Sequence, residues 1–118
     1  MRHKKYWWET EKFAYYRIPK ALIESEKYRK LSSNAKLLYG LLLDRMSLSG
    51  VNTDRFTDAE GFIFVYFTNA EVCKRFNCGH DKATQLFKEL EKYGLIERRR
   101  QGLGYPIRLY VNRFEKDG

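Results

Sequence analysis

Two stretches in the carboxyl-terminal half of the chain carry side chains of the types that contact nucleic acids. Residues 80–93 contain Lys82, Gln85 and Lys88 at spacings that place them on the polar side of a helix, and residues 98–100 are three consecutive arginines. A glutamine side chain can pair with adenine through two hydrogen bonds, and lysine or arginine can bind guanine or a phosphate. The two stretches therefore predict a nucleic-acid-binding surface, provided that the fold brings them together.

Residues 80–93 separate into two faces when they are plotted at 100° per residue. The apolar face, which should pack on the core, consists of Ala83, Leu86, Phe87 and Leu90. The opposite face consists of Asp81, Gln85, Lys88 and Lys92, flanked by Lys82, Thr84 and Glu89. A recognition helix lays its N-terminal half in the major groove. We therefore expect DNA contacts from His80, Lys82, Thr84, Gln85 and Lys88, whereas Glu91 and Lys92 should lie in solvent. The polar face alone is equally typical of an ordinary solvated helix.

The arginine run should lie on a strand, in which successive side chains point to opposite faces. We expect Arg98 and Arg100 on one face and Arg99 on the other. Arginines of a hairpin beside a recognition helix bind phosphates or enter the minor groove. Tyr105 and Arg108, on the same predicted hairpin, are further candidates for phosphate contacts. The alternative is that these charges only protect an edge strand from aggregation.

Two weaker candidates lie elsewhere in the chain. Asn69 begins a predicted helix, whose free backbone N–H groups could bind a phosphate. The amino-terminal segment carries Arg2, Lys4 and Lys5, which could follow the DNA backbone as an arm. The same segment contains Trp7 and Trp8, which favour a core contact or a dimer interface over base stacking.

The elements that must position these residues follow from periodicity and capping signals. We predict helices over residues 19–25, 33–47, 68–77 and 80–93, and strands over residues 62–67, 95–100 and 107–111. Thr68 and Glu71 form a capping-box pattern, Ser49 and Gly50 should end the second helix, and residues 51–61 should form a polar loop. Two helices joined by a short turn with glycine, followed by a hairpin, indicate a winged helix-turn-helix. The fold class is α+β, mainly α, with a carboxyl-terminal β-hairpin wing.

The length of 118 residues fits one domain, and the net charge of +8 favours a polyanionic partner. The charge alone is equally compatible with nucleic acid, an anionic membrane surface or a role in solubility. The charge lies at the two ends, with a net charge of +5 over residues 1–30, −1 over residues 31–70 and +4 over residues 71–118. We predict an arm over residues 1–18, the winged-helix domain over residues 19–113 and a tail over residues 114–118. The chain has no secretion signal and no apolar stretch of membrane-spanning length, so we expect a cytoplasmic protein without membrane contact.

The residue types exclude most catalytic and metal-binding chemistry. The potential metal ligands Cys73, Cys78, His3 and His80 follow no zinc-binding spacing. No nucleophile stands at a recognisable spacing from a histidine, and no phosphate-binding glycine loop precedes a helix. We expect Cys73 to act as a small core residue and Cys78 as a turn residue. The sequence predicts neither an enzyme nor a cofactor.

Several segments together resemble a known family. These are residues 31–52 (LSSNAKLLYGLLLDRMSLSGVN), the turn 58–61 with FIFVYFT, the helix-turn-helix, and KELEKYGLIERRRQGLGYPIRLYV. They are similar to the N-terminal domain of the RepA_N-type plasmid replication initiators of low-GC Gram-positive bacteria, staphylococci among them. The resemblance covers about residues 16–111. The turn 77–80 departs from the expected pattern, because it lacks a Ser or Thr cap for the recognition helix.

The resemblance implies a role that the residues alone do not. Such initiators bind repeated sites (iterons) at the plasmid origin, self-associate, and recruit host replication proteins through a further C-terminal domain, which would follow the tail. The family's DNA contacts lie on the helix-turn-helix and the wing. Two other functions stay open on this fold, a transcriptional regulator that binds an operator and a module that binds protein. Steep loss of affinity with salt would distinguish DNA binding from an apolar protein interface.

Overall fold

The computed structural model describes residues 15–51 and 55–115, with the side chains of residues 48–51 left out. Its elements, in chain order, are α1 (Lys20–Glu24), a 3₁₀ turn (Glu26–Tyr28), α2 (Ser33–Val51), α3 (Asn69–Phe76), α4 (His80–Lys92), β1 (Ile96–Arg99) and β2 (Arg108–Val111). The two strands pair antiparallel, with Ile96 opposite Val111 and Arg99 opposite Arg108. The predicted winged helix-turn-helix architecture is confirmed.

The second helix is longer than predicted. It continues through Ser49 and Gly50 to Val51, instead of ending at Ser47, so the predicted loop 51–61 begins later. A glycine within a helix costs only about 1 kcal/mol relative to alanine, and no proline interrupts the backbone hydrogen bonds. Most of the predicted apolar face of α2 is buried, but Leu37 is 45% exposed.

The predicted strand over residues 62–67 does not form. The segment makes only isolated bridges, in which Ile63 pairs with Thr57 and Val65 with Leu109. Val65 N donates to Leu109 O at 2.8 Å, and Leu109 N donates to Val65 O at 3.0 Å. Phe64, Val65 and Phe67 of this segment are buried by tertiary packing, whereas Phe62 is 61% exposed. Strand propensity reflects such burial as much as backbone pairing.

The core lies between α2, α3, α4 and the hairpin. Helix α4 contributes the four residues of its predicted apolar face to this core, and each is at most 1% exposed: Ala83, Leu86, Phe87 and Leu90. Glu89, on the polar side of α4, links this helix to the start of α2: its carboxylate accepts from Ser32 N at 2.9 Å and from Ser32 Oγ at 2.8 Å. Ser32 Oγ in turn accepts from Ala35 N, so α4 orders the residue that caps α2.

Both ends of the described chain pack on α2. A Cβ atom on Gly40 would lie 2.3 Å from Ile18 Cδ1, so the absence of a side chain lets the amino-terminal segment cross the helix. Tyr39 donates a hydrogen bond to Asn112 O at 2.6 Å, and burial raises the pKa of Tyr39 to about 12. Phe114 packs edge-on against Tyr39. Ile18 and Phe114, just outside the predicted boundaries at residues 19 and 113, therefore both pack on this helix.

Asp58 organises the turn before the bridged segment. Its Oδ1 accepts from the backbone N–H groups of Glu60 and Phe62, both at 2.9 Å, and its Oδ2 accepts from Tyr110 Oη at 2.8 Å. The hydrogen bond from the Phe62 N–H is the largest influence on the pKa of Asp58; together with those from Tyr110 and Glu60 it lowers the pKa, against the opposing effect of desolvation.

We expect Asp58→Asn to reduce stability at neutral pH and to have less effect in acid. A carboxyl whose pKa is lowered by folding stabilises the native state above its unfolded pKa of about 3.9, and this contribution disappears as the pH falls through the folded value. The measurement is the urea midpoint of wild type and variant at pH 7 and at about pH 3. A difference between the two proteins that stays constant with pH would show that the charge of Asp58 is not what matters.

Candidate nucleic-acid interface

The helix-turn-helix is defined by its caps. Thr68 Oγ1 accepts from Glu71 N, and the Glu71 side chain accepts from Thr68 N, so the predicted capping box is present. Asn77 ends α3 in the left-handed conformation, with φ of 51°. Gly79 is the N-cap of α4 and supplies no side-chain hydrogen bond. The recognition helix therefore begins without the Ser or Thr cap that the family pattern led us to expect. Position 77 tolerates asparagine because its short polar side chain suits this region.

A groove separates α4 from the wing. Its volume is about 460 Å³, and its lining residues are Tyr66, Phe67, Thr68, Asn69, His80, Thr84, Lys88, Arg98, Arg100, Pro106, Ile107 and Leu109. The groove therefore joins the start of α3, one side of α4 and the hairpin. Its charged side chains are all basic, so it offers cations beside an apolar floor. The fold thus brings together the two stretches singled out from the sequence.

The polar side of α4 divides into two flanks. His80, Thr84 and Lys88 follow each other at intervals of four residues and line the groove. Gln85 is exposed between the flanks. Lys82 lies on the far flank, about 120° around the helix from Lys88, and near the Cys78 thiol. The helical period predicted that these residues form one polar surface, whereas in the structure Lys82 is separated from the wing.

Asn69 connects the two helices of the motif. Its Nδ2 donates to Thr84 Oγ1 at 2.9 Å and lies 3.3 Å from His80 Nδ1. The hydroxyl of Thr84 is therefore already engaged as an acceptor, while its proton is available to another partner. This network orders the groove side of α4 relative to the start of α3.

Arg98 is held by an ion pair that no local sequence pattern predicted. Its Nε and Nη2 both donate to Glu91 Oε1, at 2.9 and 2.6 Å. The guanidinium group lies 5.2 Å from the centre of the Phe87 ring, and the side chain is 24% exposed. The prediction that Glu91 is simply solvated is wrong, because the hairpin folds back over the last turn of α4. Helical spacing could not indicate this pair, because Glu91 lies on α4 and Arg98 lies seven residues later on β1.

The other wing residues occupy two distinct places. Arg100 is exposed and lines the groove with Arg98, as strand alternation predicts. Arg99 lies over the Tyr110 ring and pairs with Glu97 at 3.3 Å. Arg108, opposite Arg99, lies 4.4 Å from the centre of the Phe64 ring. Arg99 and Arg108 are therefore absent from the groove lining.

The tip of the wing is apolar and exposed. Tyr105 is 69% exposed, and Leu103, which was not among the predicted site residues, is fully exposed between Gly102 and Gly104. Both glycines have positive φ values, 125° and 83°, as a tight hairpin requires. The flanking glycines and the lack of helical periodicity were the signals from which an exposed leucine could have been expected.

The remaining candidates carry less weight. The basic side chains Arg2, Lys4 and Lys5, and both tryptophans, lie outside the described residues. Cys73 and Cys78 are free thiols, both half-buried against the core, and burial raises the pKa of Cys78. Within the described ranges, no three His, Cys, Asp or Glu side chains are grouped so that they could hold a metal ion. No helix there is long and apolar enough to span a membrane.

This fold and groove define a winged helix-turn-helix domain. Residues 14–118 match the family model described as "Replication initiator protein A (RepA) N-terminus". The chain belongs to this RepA_N family.

Comparisons with individual proteins agree with the family. A "41 kDa protein" of Lactobacillus helveticus is 30% identical over 109 residues, which cover 87% of this chain and 30% of that protein. The chain therefore spans about a third of the length of this relative. A solved structure described as "Structure of Rep-DNA complex" is 31% identical, with a TM-score of 0.79. The match covers 100% of this chain and 88% of that chain.

Two further solved structures are similar. One, described as "N-Terminal domain of DNA binding protein", is 32% identical with a TM-score of 0.78, and the match covers 99% of this chain and 88% of that chain. The other, "Structure of MDR initiator", is 33% identical with a TM-score of 0.74, and the match covers 92% and 84% of the two chains.

Proposed function

We propose that this domain binds double-stranded DNA at the repeated sites (iterons) of a plasmid origin and so initiates replication. The observation that carries the proposal is the groove between α4 and the wing, in which Lys88, Arg98 and Arg100 are the only charged lining residues among those described. A concave surface of one charge sign attracts a polyanion of the opposite sign. Membership of the RepA_N family supports the same function, as does the similarity to a protein solved as a Rep–DNA complex.

In this proposal, the N-terminal half of α4 enters the major groove. Gln85 is exposed and has no side-chain hydrogen-bond partner among the described residues, so it is free to pair with adenine. His80, Thr84 and Lys88 contact bases or the phosphates on the wing side. Lys82 contacts the opposite phosphate strand, because it lies on the far flank of the helix. Base contacts supply specificity, and phosphate contacts supply most of the affinity.

The wing lies over the adjacent backbone or minor groove. Arg100 and Arg98 are its closest candidates for phosphate contacts, with Tyr105 at the tip. Arg99 and Arg108 do not line the groove, and they contribute to DNA affinity through the positive electrostatic potential of the hairpin. Asn69, at the start of α3, adds a contact beside Thr84, and Lys4 and Lys5 extend the surface as an arm.

Other parts of the proposal concern the assembly. The domain acts as a homodimer, so that two α4 helices meet sites about one helical turn, ~34 Å, apart. A further C-terminal domain recruits host replication proteins in the cytoplasm. No catalytic step or cofactor is assigned to this domain. Operator binding as a transcriptional regulator would use the same surface, but family membership favours the origin.

The test is a fluorescence-polarisation titration with origin-repeat DNA and a scrambled duplex at two salt concentrations. We expect preference for the repeats and a loss of affinity as salt rises, with a log–log slope of about −0.9 for each phosphate contacted. Equal, weak and salt-independent association with both duplexes would contradict DNA binding as the function.

Gln85→Ala should relax specificity at one base pair. Loss of a bidentate contact with adenine removes discrimination worth about 1–3 kcal/mol at that position, and the other positions should be unaffected. The measurement is the affinity for duplexes in which each base pair of the preferred site is changed in turn. Asn34→Ala, which removes an exposed amide from α2, is the control. A uniform loss across all duplexes would place Gln85 outside the base-reading surface.

A further inference from the structure

Arg98 differs from the other cations of the groove because it already has an anionic partner. Glu91 Oε1 accepts two of its hydrogen bonds, and the ring of Phe87 lies beneath its guanidinium group. Lys88 and Arg100 have no ion-pair partner within the described ranges. The groove therefore contains two free cations and one whose charge is compensated.

The geometry of the pair leaves one edge of Arg98 open. Both hydrogen bonds use Nε and Nη2, and Nη1 has no hydrogen-bond partner among the described residues. Arg98 lines the groove, so a phosphate can approach without breaking the ion pair. A guanidinium group held on one side by a carboxylate has less freedom to follow phosphates at other positions, because its planar fork is fixed.

We propose that Glu91 is a specificity-determining residue of this DNA-binding surface. Its carboxylate holds Arg98 at one position beside α4, and its charge cancels the attraction that a free Arg98 would exert on any phosphate. Glu91 thereby lowers affinity for arbitrary DNA more than affinity for the preferred site, because there the base contacts of α4 fix the position of the backbone and so place a phosphate at the fixed guanidinium edge. The inference rests on the proposed function and adds a residue whose role is to position Arg98.

The structure offers a matched control on the other side of the same strand. Glu97 pairs with Arg99 at 3.3 Å, and both side chains are more than half exposed. Glu91→Gln and Glu97→Gln change the net charge by the same amount, and each glutamine can still accept a hydrogen bond from its arginine. The two variants therefore separate the local effect at the groove from the effect of net charge.

The experiment measures the affinity of wild type, Glu91→Gln and Glu97→Gln for two duplexes over a range of salt concentrations. One duplex is selected by the wild-type protein from a random library, and the other is its scrambled counterpart. For Glu91→Gln we expect the log–log salt slope for scrambled DNA to steepen by about 0.9, the effect of one additional free cation. We also expect the ratio of the two affinities to fall about fivefold at low salt, as for one pair of unit charges about 4 Å apart in bulk water. Glu97→Gln should leave that ratio unchanged.

Equal effects of the two substitutions in a protein that binds DNA would overturn the inference alone, because only net charge would then matter. An unchanged ratio for Glu91→Gln would also overturn it. A wild-type protein that selects no duplex from the library overturns the proposed function, and this inference with it. Circular dichroism of each variant verifies that the affinities refer to folded protein.

Discussion

The double substitution Lys88→Ala and Arg100→Ala should lower DNA affinity on the order of 50-fold at about 0.1 M salt, and should do so for every sequence. Both side chains are exposed, line the groove from opposite walls and have no ion-pair partner in the described part of the chain. If each binds one phosphate, their removal flattens the log–log salt slope by about 1.8, and this slope sets the size of the loss.

The matched control is Lys20→Ala with Lys30→Ala. These lysines are exposed on α1 and before α2, and their removal changes the net charge equally. We expect a smaller loss of affinity, since neither lysine lines the groove and exposed charges outside the contact surface are screened by salt. Titration with one duplex at several salt concentrations measures both variants. If the two double variants lose affinity equally, the groove is not the DNA-binding surface.

Glu89→Ala should lower the free energy of unfolding by about 2 kcal/mol. The carboxylate accepts two hydrogen bonds from Ser32, and bonds to charged groups contribute more than neutral ones. The loss is moderated because both residues are only half-buried. Removing the carboxylate also frees the residue that caps α2, so the packing of α4 against α2 weakens.

Urea unfolding of wild type and Glu89→Ala tests this expectation, with Glu24→Ala as an exposed control on α1. The slope of free energy against urea should be unchanged and the midpoint lower for Glu89→Ala, whereas Glu24→Ala should stay within about 0.5 kcal/mol of wild type. A midpoint equal to that of wild type would mean that water replaces the carboxylate at Ser32 without loss.

The local signals of the sequence predicted most of the elements. The capping box at Thr68 and Glu71 is present, and α4 begins at His80 as expected. These features depend on neighbours within one helical turn, so the sequence contains the interacting groups. The strand predicted over residues 62–67 was wrong for the opposite reason. Its pairing depended on Leu109, more than forty residues away, with which Val65 makes only an isolated bridge.

The candidate site likewise depends partly on local sequence patterns and partly on contacts between distant segments. The sequence by itself determined which residues could bind DNA, because the amphipathic period of α4 and the basic run of the wing are local patterns. Only the tertiary structure decided which of them share a groove. The hairpin folds back over α4, so Arg98 meets Glu91 and Arg100 lines one groove with Lys88, while Lys82 remains on the far flank. The physical reason is that alternation and helical phase set the direction of a side chain relative to its own element, whereas the packing of one element on another sets its neighbours.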